Sequence, residues 1–218
     1  MPAPAISTST VIGVMHDGHW AGGAALALTY SVPTGASSWP GGGSGYGVGD
    51  EPSEAGYSVL GAAQATAFTT AMELWDSYVA ASFTKTTEPG TPGAIRVAFT
   101  SIAGDGTWGY AYLPALGDSP AINDIDGDIW IDEDQVGSTF AVGSYDFQAL
   151  LHESGHALGL DHTFLDGGGA SDFLPTAYDN YRYSLMSYTD IGFYSVFTVD
   201  VGGIHWTGPA VTAITPML

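Results

Sequence analysis

The chain contains no cysteine. Disulfides are therefore excluded as staples, and so are metal sites built on thiolates. Basic residues are nearly as scarce. Lys and Arg together number 3 against 23 Asp and Glu, for a formal net charge of −20. Such a surface repels phosphate backbones and anionic lipid faces, so neither nucleic acid nor membrane surface is an expected partner. The acidity favours solubility and, at most, cationic ligands; a solvated surface without partner meaning is its plainest reading. No apolar run reaches the ~18 residues that a membrane span needs. The opening MPAPAISTST has no basic residue followed by an apolar stretch, so it does not read as a Sec-type signal. An export address lies elsewhere or has been removed.

What is present suits a folded enzyme or binding domain. The 218 residues are 45% hydrophobic, enough for one domain or one domain of two lobes with a real core. AALALTYSV (24–32) reads as a first strand closed by Pro33. SSWPGGGSGYGVGD (37–50) reads as a glycine-rich loop, too polar and flexible for a core. From Glu54 to Ala80 a helical pattern runs through Leu60, Ala63, Ala67, Ala71, Leu74 and Tyr78, with Phe68, Met72, Trp75 and Val79 beside them. IRVAFTSI (95–102), WGYAYL (108–113) and the stretch from Ile125 to Asp134 read as strands. Tyr145 to Leu158 reads as a second helix capped by Ser144, with Phe147, Leu150, Leu151, Ala157 and Leu158 on its apolar side. Beyond Gly159 the chain reads as loop, apart from short strands or turns near 191–201.

Histidine is also sparse, yet three of the six lie in HESGHALGLDH, residues 152–162. His152 and His156 are four apart, so on a helix both rings leave one face a turn apart. Two imidazoles so placed can share a zinc ion. Glu153 stands beside the first ligand, where its carboxylate can reach water at the metal as general base. Gly159 can end the helix with a sharp turn, which lets His162 swing back as a third ligand. The string fits HExxHxxGxxH at every fixed position. Three ordinary surface or core histidines would leave that spacing unexplained.

On these residues the chain resembles the metzincin zinc metallopeptidases. SLMSY (184–188) is similar to their Met-turn, and its SxMSY form to the serralysin branch. The resemblance implies that Met186 is an apolar floor under the zinc. It implies that Tyr188 reaches toward the metal and stabilises the oxyanion when substrate enters. HWAGGAALALTYSVP (19–33) is similar to the family's opening strand, and MELWDSYVAASFT (72–84) to its first long helix and the strand entry after it. GYAYLP (109–114) resembles the edge strand on which serralysins lay their substrate, and GDIWID (127–132) the strand after it. Ala111, Tyr112 and Leu113 are the candidate substrate-binding residues. The implied fold is α+β: a two-lobed metalloprotease domain with a twisted mixed sheet, an antiparallel edge strand, two long helices and an irregular C-terminal lobe. One catalytic domain is expected over residues 1–218, with an N-terminal lobe to about 159 and a C-terminal lobe from about 160.

Four features depart from that pattern or stay outside it. The calcium-binding repeats that usually follow a serralysin module are missing, and LDGGGASD (165–172) is a lone glycine-rich loop. The chain stops at Thr215-Pro216-Met217-Leu218, where the family tends to begin a last helix, so a truncated module is one expectation. In NDIDGDIWIDED (123–134), Asp124, Asp126 and Asp128 alternate as in a calcium loop. The sixth and twelfth positions are Ile129 and Gln135 where an EF-hand needs Gly and Glu. Exposed acidic turns fit that run better, with Ca2+ as the alternative. His16, His19 and His205 have no evident metal partners and read as structural or exposed.

The expectation is a secreted, monomeric zinc endopeptidase acting on extended polypeptides, with a proteinaceous inhibitor as a further partner. The competing expectation is a non-catalytic zinc-containing binding or adhesion module on a peptidase-like scaffold. Glu153 argues for the first, since a binding module needs no base beside its metal.

Overall fold

The computed structural model describes residues 20, 26–104, 106–114, 124–164 and 173–189, with the backbone of two short strands at 199–201 and 204–206. LDGGGASD, His16, His19 and the C-terminal TPML lie outside the described residues. Five strands form one mixed sheet: β1 (Ala27–Ser31), β2 (Ser82–Lys85), β3 (Ile95–Thr100), β4 (Gly109–Ala111) and β5 (Asp128–Asp132), in the order β2-β1-β3-β5-β4. Strands β1, β2, β3 and β5 are parallel to their neighbours, and β4 runs antiparallel to β5 at the sheet's edge. With helices α1 (Ala62–Tyr78) and α2 (Tyr145–Ala157), this is the expected α+β domain. β6 (Val199–Val201) and β7 (Ile204–Trp206) pair separately as an antiparallel ribbon.

Alternation along β3 and β5 sends side chains to two different layers. Ile95, Val97, Phe99, Ile129 and Ile131 join Phe68, Met72, Phe147 and Leu150 of the helices in the main core. Each such fully buried side chain contributes about 1.5–3 kcal/mol. The opposite face, with Ala98 and Trp130, is roofed by aromatic side chains, among them Trp39 and Tyr46. β3 is consequently buried at every position, as a central parallel strand covered on both faces should be.

The loop at 37–50 is therefore not the coreless linker its glycines suggest. Trp39 packs against Trp130 with ring centres 4.5 Å apart and planes tilted by 37°, and Tyr46 is buried and accepts a 2.9 Å hydrogen bond from the Trp130 indole. Arg96 anchors the same loop from β3. It holds Asp128 through two 3.1 Å bonds, donates to the Ser38 carbonyl and lies 4.1 Å from the Trp39 ring centre. Apolar contacts in a glycine-rich stretch come from a few large rings, which composition averages away.

The first helix also differs from its expectation. It begins at Ala62, because Ser58 pairs with Phe99 of β3 and Gly61 takes the N-cap. Gln64 accepts from the Gly61 amide and donates to the carbonyls of Val136 and Ser138, so a polar residue occupies the buried face. Leu74 and Tyr78 are correspondingly solvent-exposed, while Ala67, Phe68, Ala71, Met72 and Trp75 are buried. The second helix starts as its cap predicts, with Ser144 Oγ accepting from the Phe147 amide at 3.2 Å.

Candidate functional site

Helix α2 carries His152, Glu153 and His156, all buried. It ends at Gly159, whose φ is 102°. The Leu160 amide donates to the Gly155 carbonyl at 3.0 Å and the Gly159 amide to His156 at 2.8 Å. That bond pair is a Schellman closure, and its left-handed residue is the glycine the string requires. The reversal brings His162 back against the helix. Its Nε2 lies 3.1 Å from Nε2 of both His152 and His156, which are 3.0 Å from one another.

Tautomers make this triangle informative. His152 Nδ1 faces the Leu185 carbonyl at 2.9 Å, and His156 Nδ1 faces the Leu160 carbonyl at 2.7 Å. A carbonyl only accepts, so each Nδ1 carries the hydrogen and each Nε2 presents a lone pair to its neighbour. Lone pairs that close repel unless a cation stands between them. Nitrogens at these separations lie ~1.8 Å from their common centre, within reach of zinc–nitrogen bonds of about 2.0–2.1 Å. The donor set thus fits a zinc-type cation, and the carbonyls supply the outer bonds that orient ligating imidazoles. Burial, reinforced by His156, pushes His152 down to about 3, with its bond to Leu185 acting the other way. A ring kept neutral in this way is a competent ligand.

Met186 is fully buried. A β-carbon on Gly155 would stand 2.8 Å from Met186 Sδ and 3.3 Å from Trp75. Gly155, which the spacing rule leaves as an arbitrary position, is where helix and Met-turn meet. Its only sequence signal is a helix-interior glycine, which costs about 1 kcal/mol against alanine without a packing reason. Tyr188 packs against two of these rings, with its ring centre 5.3 Å from His152 and 4.7 Å from His162, and is 57% exposed. Phe164, which nothing in the sequence singled out, stacks on His162 at 4.9 Å.

Glu153 opens into a cleft of about 330 Å³ that His152, Trp108, Gly109, Tyr145, Gln148 and Tyr188 help to line. Burial pushes its carboxyl up to about 8. The β4 edge passes close above, since a β-carbon on Gly109 would stand 3.6 Å from Glu153 Cγ and collide with the Trp130 carbonyl. Trp108 is fixed by a 3.1 Å bond from its indole to Asp146, which also accepts from Ser138.

The three substrate-strand candidates separate. Ala111 belongs to β4 and packs toward the main core, on the side of α2. Tyr112 extends the ladder through its amide to the Asp128 carbonyl at 3.0 Å. Its side chain lies on the opposite face among the aromatic rings. Leu113 is half-buried just beyond. Tyr110 and Tyr112 both donate to one oxygen of buried Glu51 at 2.5 Å. Burial first, then those bonds, push both phenols above their ordinary range.

The acidic run forms the expected exposed turns only in part: 124–127 is a turn with Asp124 exposed, and Glu133 and Asp134 are exposed. Asp126 and Asp128 are buried, Asp128 in the Arg96 pair with Tyr46 donating at 2.8 Å, while exposed Asp124 accepts from Ser44. Among the described residues, the side chains grouped to hold a metal are His152, His156 and His162.

Comparison with known proteins agrees with this geometry. The matrixin peptidase model matches residues 52–169, which include the whole zinc string. The chain is 32% identical over 140 residues to metallopeptidase AprA of Pseudomonas marginalis, an overlap of 61% of this chain and 28% of that protein. The chain thus spans little more than a quarter of that relative's length. With the family model covering over half of it, the chain belongs to the matrixin family of metzincin metallopeptidases and is serralysin-like within it.

Proposed function

We propose that the chain is a zinc-dependent endopeptidase that hydrolyses peptide bonds of extended polypeptides with metal-activated water. The reading rests on one juxtaposition: three Nε2 atoms within 3.1 Å of one another, beside buried Glu153 in a cleft under a sheet edge. His152, His156 and His162 would hold the ion. Bound zinc supplies Lewis acidity to water and to the scissile carbonyl.

The remaining steps belong to the chain itself. The β4 edge lends backbone N–H and C=O groups to a substrate segment lying along it as a further strand. Glu153 takes a proton from the attacking water as the oxygen–carbon bond forms. It returns that proton to the amide nitrogen as the carbon–nitrogen bond breaks. A carboxyl drawn toward the neutral form by burial suits a group that carries a proton between two steps, and a neighbouring cation restores the ionised form that begins the cycle. The Tyr188 phenol donates to the developing oxyanion from its place above the ligands. Met186 and Gly159 hold the ligand frame. An acidic, cysteine-free chain suits a monomeric catalytic module outside the cell, its two lobes meeting near residue 159.

Digestion of casein and of a peptide library by the zinc-loaded chain tests the reading. Internal cleavage is expected, and Glu153→Gln should retain zinc while losing about 10²–10⁴-fold in rate. Tyr188→Phe should lower the rate and leave zinc affinity intact. Absence of cleavage at full zinc loading would leave a binding module as the function.

A further inference from the structure

His152 and His156 are held by a helix, but His162 and Tyr188 sit on segments without regular structure. Asp179 joins those two segments. Its Oδ1 accepts from Thr163 Oγ1 at 2.7 Å and from Ser187 Oγ at 2.6 Å, and Oδ2 from Thr189 Oγ1 at 3.5 Å. Thr163 follows His162 directly, and Ser187 lies between Met186 and Tyr188. Both hydroxyl-bearing residues are fully buried, so neither has water as an alternative partner.

The surrounding backbone prepares the carboxylate for this task. The amides of Tyr178 and Asp179 both donate to the Pro175 carbonyl, closing the turn that presents it. The Thr163 amide approaches the Met186 carbonyl at 3.4 Å, and the Ser187 hydroxyl accepts from the Thr189 amide at 3.0 Å. Two hydroxyls on one carboxylate oxygen at these lengths are charge-assisted bonds, stronger than neutral ones. They converge from the loop that carries His162 and from the turn that carries Met186.

We propose that Asp179 is a positioning residue of the metal centre, a half-buried bracket that fixes His162 against the helical pair and sets Tyr188 over it. The inference rests on the metal reading above. It assigns Asp179 no contact with metal or substrate. It acts through the residue after His162 and the residue before Tyr188, as outer bonds around a metal site commonly do.

The test uses the full chain, with zinc affinity measured by chelator competition and the visible spectrum recorded after cobalt loading. Asp179→Ala should weaken zinc binding about 10–100-fold and shift the cobalt bands. Asp179→Asn, which keeps an accepting oxygen, should lie between it and the parent. The gap in melting temperature between zinc-loaded and zinc-free protein should narrow in both. Thr163→Val cuts the ligand-loop arm alone and should weaken zinc binding even if Asp179→Ala fails to fold. Ser187→Ala cuts the other arm and should alter the rate more than the affinity. A zinc affinity and cobalt spectrum unchanged in Thr163→Val and Asp179→Asn would overturn the inference. So would a lowered melting temperature in the zinc-free variants with an unchanged zinc constant, which is the signature of a purely structural role. A parent chain that binds no zinc would overturn the metal reading itself, and this inference with it.

Discussion

Met186 rests against Gly155, its sulfur 2.8 Å from the position that a β-carbon there would occupy. Helix α2 therefore approaches the Met-turn as closely as a missing side chain permits. Gly155→Ala should force apart two surfaces that cannot yield easily, because Met186 is fully buried. Overpacking of this kind costs about 1–3 kcal/mol, partly offset by alanine's better helix propensity. Urea denaturation of the zinc-free chain should show the loss, and an unchanged midpoint would mean that the floor of the site moves freely.

Removing a ligand should abolish the link between metal and stability. Zinc that binds the native chain alone adds about 2.7 kcal/mol at a free concentration of 100 times Kd. The parent should melt at a higher temperature as zinc is added, and His156→Ala should melt at one temperature throughout. Calorimetry with and without chelator measures both.

The zinc-free chain should have a stability that rises and then falls with pH. His152, held down at about 3 by burial, binds fewer protons folded than unfolded between that value and its ordinary 6.5. Its effect is to increase stability with pH across that window. Glu153, pushed up to about 8, binds more protons folded than unfolded from 4.5 to about 8. Its effect is the reverse, and above 6.5 it is the one that remains. Melting temperatures of chelator-treated protein should decline between pH 6.5 and 8. Glu153→Gln should flatten that decline; a slope that persists in the variant would assign it to another group.

Arg96 and Asp128 form a buried pair, 4% and 1% exposed. Asp128→Asn would leave the guanidinium without its anion at the centre of the sheet. Breaking such a pair from one side costs about 3–5 kcal/mol. The loss should appear in denaturant unfolding together with reduced amide protection in residues 37–50, since Arg96 also holds that loop. Arg96→Met with Asp128→Leu should recover much of the difference.

The site's first elements were legible because their chemistry constrains the chain locally. Two histidines a helical turn apart, a glutamate beside the first and a glycine at the reversal that returns His162 to them all follow from α-helix geometry. Asp179, Gly155 and Phe164 were not legible, because each matters through a residue distant in sequence or folded back across a turn. Four of the sheet's five strands were readable from β-branched and aromatic runs, and β2 only through the family resemblance; strand ends were not readable, and β4 spans three residues where alternation suggested six. Leu74 and Tyr78 match the helical period yet face solvent, because Gln64 finds carbonyl partners inside and settles the helix's rotation. Trp39 and Tyr46 show the same limit in reverse. A stretch that looks unstructured by composition supplies the roof of a second core.

Burying Arg96 has a consequence for the outside of the molecule. Lys85 and Arg182 are then the only basic side chains left to the surface. The protein cannot neutralise its carboxylates from within, so that task passes to the ion atmosphere of the solvent. Dilution of salt below roughly 0.01 M, where the screening length reaches about 30 Å, leaves those charges acting across the whole fold. The surrounding electrolyte is in that sense a component of the folded state.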